Sequence, residues 1–218
     1  MTTAQERKQQ ERQVRRRRIQ RAARQVFSDR TYSKASIEQI AREASLSVGA
    51  IYLYFRSKED LYVSLLEETL EHFDEELGRI RQTEARPDQR LFDAWGRFVS
   101  WADSDIESTR ILRLMSQPGI RRQLSDEVAT QVAAGLAKIR EHLAAIIEDG
   151  MNANVYRRQS ARDAVDLMWA MFLGVLEAKD TRANIEVPGV SYPDLDRHAF
   201  EAVDTSLRTP AHRLAEAA

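Results

Sequence analysis

Between Ser36 and Leu61 the sequence SIEQIAREASLSVGAIYLYFRSKEDL offers three places for a helix to begin within one short stretch. Ser36 precedes Gln39 by three residues, a spacing at which the hydroxyl caps an orphan amide while the Gln side chain reaches back. Ile37, Ile40, Ala41 and Ala44 then fall on one face at helical spacing. Ser47 opens a second helix after the small polar break at Ser45. Ser57 opens a third, with Glu59 and Asp60 in the first turn, where the helix dipole favours acids. The middle helix is too short to exist for packing alone. A helix, a tight turn and a stubby second helix make a helix-turn-helix, whose second helix enters the major groove of DNA.

The side chains of the stub fit that use. Ser47, Val48, Gly49 and Ala50 give it a leading edge of small residues, so its backbone can approach base edges and phosphates. Tyr52 and Tyr54 diverge by about 200° on a helix and cannot both be core, and their hydroxyls suit phosphate oxygens. Ile51 and Phe55, four apart, are placed to hold the stub down. Lys58, in the first turn of the next helix, is unfavourable for the dipole but well placed to meet a phosphate there.

Charge is distributed to match. Residues 1–60 carry fourteen bases against seven acids, whereas the remaining residues carry nineteen against twenty-seven, so a formal net charge of −1 hides a basic head and an acidic remainder. One end suits a polyanion. The run Arg15-Arg16-Arg17-Arg18, flanked by Arg12 and Arg21, leads into an amphipathic helix with Ile19, Ala22, Ala23, Val26 and Phe27 on its apolar side. A solvated basic helix start is the bland reading. A membrane-surface helix is disfavoured because the apolar side is small and needed by the neighbouring helices. Beside a helix-turn-helix, Arg16 and Arg17 are expected at phosphates or in the minor groove.

From Ile19 to Leu61, the residues Ala22-Ala23, Val26-Phe27, Tyr32, Ser36-Ile37, Ile40-Ala41, Ala44, Ser47, Gly49-Ala50-Ile51-Tyr52, Tyr54-Phe55 and Ser57-Lys58-Glu59-Asp60-Leu61 strongly resemble the DNA-binding domain of TetR-family transcriptional regulators. Thr31 and Ser45 stand where that family usually has glycine. Ala35 stands where it often has threonine, which leaves Ser36 to supply the phosphate contact. The resemblance implies an all-α protein: a three-helix DNA-binding domain joined by a long helix to a helical ligand-binding and dimerisation domain. Its last two long helices would pair with those of a second chain.

Beyond Leu61 the sequence reads as helix after helix. Leu61, Leu65, Leu66, Leu70, Phe73, Leu77 and Ile80 keep a seam at spacings of three and four, so the helix begun at Ser57 is expected to continue to about Arg81. Stripes over Leu91–Ala102, Ile106–Met115, Asp126–Glu148 and Leu195–Leu207 follow. The helix capped by Ser160 and Asp163 is apolar nearly all round from Ala164 to Leu176, so it must be covered on every side. A second subunit is the expected cover, and a twofold dimer presents two stubs about 34 Å apart. The loop at Asp149–Arg158 resembles the family's connection into this helix, with Asn154 at a position that is often glycine and that tolerates the left-handed conformation. The division expected is 1–60 for the basic arm and DNA-binding domain, 61–210 for the ligand-binding and dimerisation domain, and 211–218 for a tail.

Trp95, Phe98, Trp101, Leu112, Met115, Trp169 and Phe172 are candidates to line a hydrophobic ligand pocket between helices, against the ordinary alternative of core. Cysteine is absent, and among His72, His142, His198 and His212 no spacing matches a zinc or di-iron motif. There is no Gly-rich phosphate loop. No catalytic residue, metal or cofactor is therefore expected. The N-terminus lacks an apolar h-region, and the longest apolar run, Leu167 to Leu176, is too short for a bilayer, so no membrane partner and a cytoplasmic location are expected. The reading is a homodimeric, sequence-specific regulator of transcription, a repressor released from an operator in double-stranded DNA by a small hydrophobic ligand. The alternative is a helical protein-interaction module with nonspecific DNA tethering.

Overall fold

A computed structural model of the chain describes residues 4–184 and 194–209. The tail expected at 211–218 lies outside the described residues. The described residues form ten α-helices and one 3-10 turn, with no strand beyond an isolated bridge between Tyr156 and Arg208. The chain is all-α, as its helical periodicities require. None of the described helices is long and apolar enough to cross a membrane.

Two compact units are present, and neither is continuous in sequence: residues 1–70 with 106–134, and residues 71–105 with 135–218. The first holds α1 (Ala4–Asp29), α2 (Ile37–Glu43), α3 (Val48–Tyr52), α4 (Lys58–Ser64), α7 (Ile106–Met115) and the 3-10 turn (Ile120–Gln123). Its core gathers Ile19, Ala23 and Phe27 of α1 with Ile40, Ile51, Phe55 and Leu61, all nearly inaccessible to solvent. Phe27, Tyr32 and Tyr62 form an aromatic cluster with ring centroids 4.6–5.9 Å apart. Burial and a hydrogen bond to Glu107 push the Tyr62 phenol far above its ordinary pKa. It therefore stays a neutral donor that ties α7 to this core.

The long helix expected from Ser57 to Arg81 is interrupted at Leu65, giving α4 and then α5 (Leu66–Gln82). The cause is local competition for carbonyls. The Ser64 hydroxyl donates to Leu61 O at 2.7 Å, the acceptor an unbroken helix would offer to Leu65, and the Leu65 amide bonds Tyr62 O instead. From α1, Gln20 Nε2 and Arg24 donate to the carbonyls of Ser64 and Leu65. A hydrophobic seam does not encode such a step.

The second unit holds α6 (Pro87–Ser104), α9 (Ala161–Asn184), α10 (Leu195–Leu207) and most of α5 and α8 (Asp126–Asn152). Helix α8 ends in a Schellman motif in which Val155 N bonds Gly150 O, Asn154 N bonds Met151 O, and Asn154 takes φ 58°. The left-handed tolerance expected of Asn154 is thus used. Tyr156 packs onto Gly150, where a Cβ would stand 2.2 Å from the ring. Its hydroxyl donates to Asp204 at 3.1 Å, and Arg208 pairs with both Asp204 and Asp88. This buried network fixes the end of α10.

Candidate nucleic-acid interface

The three caps anticipated between Ser36 and Ser57 are all formed. Ser36 Oγ accepts from Gln39 N while Gln39 Oε1 accepts from Ser36 N at 3.0 Å, a complete capping box. Ser47 Oγ accepts from Ala50 N at 3.2 Å, and Ser57 Oγ from Asp60 N at 3.0 Å. A hydroxyl that accepts from an amide keeps its proton to donate, so the exposed Ser47 retains a donor, whereas the Ser36 hydroxyl spends its proton on the Glu38 carboxylate, whose pKa it lowers. The turn between α2 and α3 is a Schellman motif too: Leu46 N bonds Ala41 O and Ser45 N bonds Arg42 O, with Ser45 at φ 52°. Ser45 therefore performs the geometry usually given to glycine, at a cost of about 1 kcal/mol.

Stub α3 is five residues long and is held by Ile51 and Phe55, both buried. Its leading edge stands open. A Cβ built at Gly49 meets no atom of the described residues within 4 Å, so their packing does not require a glycine there. Val48 and Ala50 are half-buried. Tyr52 is 53% exposed and Tyr54 half-buried, so neither ring is part of the core. Leu53, not singled out from the sequence, is 77% exposed beside them.

Lys58 is more occupied than its sequence position suggests. Its ammonium donates to Tyr32 O at 2.8 Å and to Ala35 O at 3.1 Å, and sits 4.2 Å from the Tyr32 ring centroid. Two of its three protons clamp the turn ahead of α2, and one remains. Tyr32 in turn donates to Glu59, and burial together with that bond raises its pKa well above the ordinary value.

The arginine run divides into two sets. Arg16, expected at DNA, is instead buried, its side chain 3% exposed and paired through both terminal nitrogens with Glu67, with its guanidinium over the Phe55 ring. The physical reason is helical phase. Arg16, Ala23 and Phe27 are seven and eleven residues apart, within about 20° of one line, so Arg16 points where the core lies. Arg12 continues that line and makes two hydrogen bonds of 3.1 Å to Glu127 at the start of α8. Arg17 is exposed as expected, and Arg15, Arg18 and Arg21, not singled out individually before, are exposed with it. The helix phase that places Arg16 inside would have placed these three outside.

Of the seven aromatic and apolar ligand candidates, the structure brings five together in the second unit. Phe98, Trp101, Trp169 and Phe172 join Phe73, while Trp95 links Phe172 to Phe200, with centroids 4.9–6.5 Å apart. Leu112 and Met115 belong to α7 in the first unit and are not part of this cluster. Rings at these separations touch one another. The buried indole Nε1 of Trp101 has no hydrogen-bond partner among the described residues, whereas Trp95 Nε1 donates to Asp196 O. No group of His, Cys, Asp or Glu able to hold a metal is found among the described residues.

The profile of bacterial regulatory proteins of the tetR family matches residues 19–65, from the buried side of α1 through the stub to the break at Leu65. These residues match the DNA-binding domain of the TetR family of transcriptional regulators. The chain's relatives include the HTH-type regulator HbdR of Aromatoleum sp. (strain CIB), 34% identical over 107 residues, 49% of this chain and 46% of HbdR. A transcriptional repressor of Mycobacterium tuberculosis is 29% identical over 151 residues, 66% of this chain and 75% of that protein. The chain thus spans about half the length of the first relative and three quarters of the second. Among solved structures, the FadR regulator of Bacillus subtilis in complex with stearoyl-CoA superposes with a TM-score of 0.65 at 20% identity, covering 88% of this chain and 98% of that one. That likeness shows the fold. TetR-family regulators bind operator DNA, and residues 19–65 are the part of this chain that carries the family's DNA-binding domain.

Proposed function

We propose that this chain is a homodimeric, sequence-specific repressor of the TetR family, released from its operator when a small hydrophobic ligand enters the second unit. The observation that carries the reading is the open leading edge of α3, where Gly49 has empty space in front of it and Ser47 offers an unused hydroxyl proton. Ser47, Val48, Gly49 and Ala50 approach base edges, while Tyr52, Tyr54, Arg17 and the remaining proton of Lys58 hold phosphates. Repression is favoured by the likeness to the mycobacterial repressor.

Dimerisation rests on α9. Its inner face, with Ala164, Val165, Met168, Phe172, Val175 and Leu176, is buried within the chain. Leu167, Ala170 and Gly174, spaced three and four apart, stay exposed, and a Cβ at Gly174 would meet nothing within 4 Å among the described residues. An apolar stripe with small residues suits close approach of the same helix from a second chain.

The ligand enters among the rings of the second unit by displacing them, and an acceptor on it takes the buried Trp101 N–H. The acyl ligand of the B. subtilis FadR structure is of this chemical kind. A ligand that prefers a form with the two stubs misplaced lowers DNA affinity by the same factor by which DNA lowers ligand affinity. Selection from a random duplex pool, followed by titration of the winner against a scrambled duplex, tests DNA reading. Sedimentation tests dimerisation. Equal affinity for both duplexes would leave only the protein-interaction reading with nonspecific tethering.

A further inference from the structure

Helix α1 is longer than the head requires. It runs from Ala4 to Asp29, about 39 Å, yet its buried residues begin only at Arg16. Ala4 to Glu11 are all exposed. An isolated helix of that length is marginal in water, so a projecting helical arm rich in like charges is not explained by packing. A groove of about 1060 Å³ runs along it, lined by Arg7, Lys8, Arg12, Arg15, Arg18 and Tyr54, with Glu11 as its one acid. The groove starts at the stub: the Arg12 guanidinium carbon lies 5.6 Å from the centroid of the Tyr54 ring.

We propose that residues 4–18 form a second DNA-binding site, seating the sugar-phosphate backbone of duplex that lies outside the half-site read by α3. The inference rests on the DNA-binding reading above and adds a separate contact to it. Tyr54 is shared by the stub and the groove, so a strand held at Tyr54 continues directly along the arm. Residues 4–15 span about 18 Å, close to five base pairs of B-form duplex. Guanidinium and ammonium groups in such a row neutralise phosphates and meet no base edge, so the contact adds affinity without sequence preference. Arg15 and Arg18 are exposed and have no ion-pair partner among the described residues. Arg12 differs, because Glu127 holds it through two bonds of 3.1 Å and must yield it before a phosphate takes it.

The test uses the selected operator in two forms, one ending at the half-site boundary and one extended on one side by ten base pairs of arbitrary sequence. The extended duplex should bind tighter, whatever its flanking sequence. With Lys8, Arg15 and Arg18 each on a phosphate, its salt slope should be steeper by about 2.7, so its lead shrinks on the order of 40-fold between 50 and 200 mM salt. The variant Lys8→Gln/Arg15→Gln/Arg18→Gln, whose positions are all exposed, should bind both forms alike, keep its preference over scrambled duplex and melt at the wild-type temperature. Wild-type protein that prefers the operator but binds both forms with one affinity and one slope would overturn the arm and spare the stub. Protein with no preference over scrambled duplex and no gain from the flank would overturn both.

Discussion

Asp60 is a buried carboxylate whose every hydrogen bond can be named, and replacing it with asparagine should cost more than the change of one atom suggests. Oδ2 accepts from Arg56 N at 2.8 Å, while Oδ1 accepts from Ser125 N and Ser125 Oγ, both at 2.9 Å. The residue is fully buried. All three partners are donors, so either orientation of the substituted side-chain amide turns its NH2 group onto a donor. Losing the charge-assisted bonds and burying mismatched donors should destabilise the first unit by roughly 3–5 kcal/mol. Ser125→Ala deletes one donor to the carboxylate and also the cap to Val128 N, and should cost about 2–4 kcal/mol. The single costs should not add, and a cycle over the two should show a coupling of about 1–3 kcal/mol. All three tryptophans lie in the second unit, so denaturation must be followed by far-UV circular dichroism and by exchange of the Arg56 and Ser125 amides. Because Arg56 directly follows the stub and its turn, operator affinity should fall with an unchanged salt slope, since no phosphate contact is removed. A stability change below about 0.5 kcal/mol for Asp60→Asn, or strictly additive costs, would refute this role of the Asp60 hydrogen bonds.

Gly49→Ala should keep or raise stability, by up to about 1 kcal/mol through helix propensity, yet weaken operator binding at least tenfold; equal binding in a mobility-shift titration would remove the close approach. Gly150→Ala should destabilise the second unit by about 1–3 kcal/mol, because its methyl meets a Tyr156 ring that Asp204 holds in place, and thermal unfolding reads it directly. The Arg12 hydrogen bond holds the Glu127 carboxyl below its usual pKa. That contribution is complete above the unfolded value of about 4.3 and is lost as pH falls through the lowered folded value. Glu127→Gln should therefore cost under about 1 kcal/mol near pH 7 in urea titrations, with the difference from wild type closing below about pH 4.

What the sequence disclosed and what it withheld divide by the range of the interactions involved. The caps at Ser36, Ser47 and Ser57 act over three or four residues, so their side chains announce them. Asn154 and Ser45 are legible for the same reason, since a left-handed residue after a helix is a local demand. Arg16 was also legible, because its alignment with Ala23 and Phe27 places it inside, but the charge of the run masks the phase of the helix. The break at Leu65 was not, as it depends on Gln20 and Arg24 more than forty residues away. Nor was the company kept by α7: the bond from Tyr62 to Glu107 ties this helix, which carries Leu112 and Met115, to the head, whereas composition alone had grouped the two residues with the tryptophans.

The claim on which the account depends is that the small leading edge of α3 lies against bases. Duplex selection from one random pool with wild-type protein, Val48→Ala and Ala50→Ser measures it. The account predicts that the substitutions change the preferred base at symmetry-related positions of the selected site while the salt slope stays that of the wild type. An unchanged preference for both variants would contradict it.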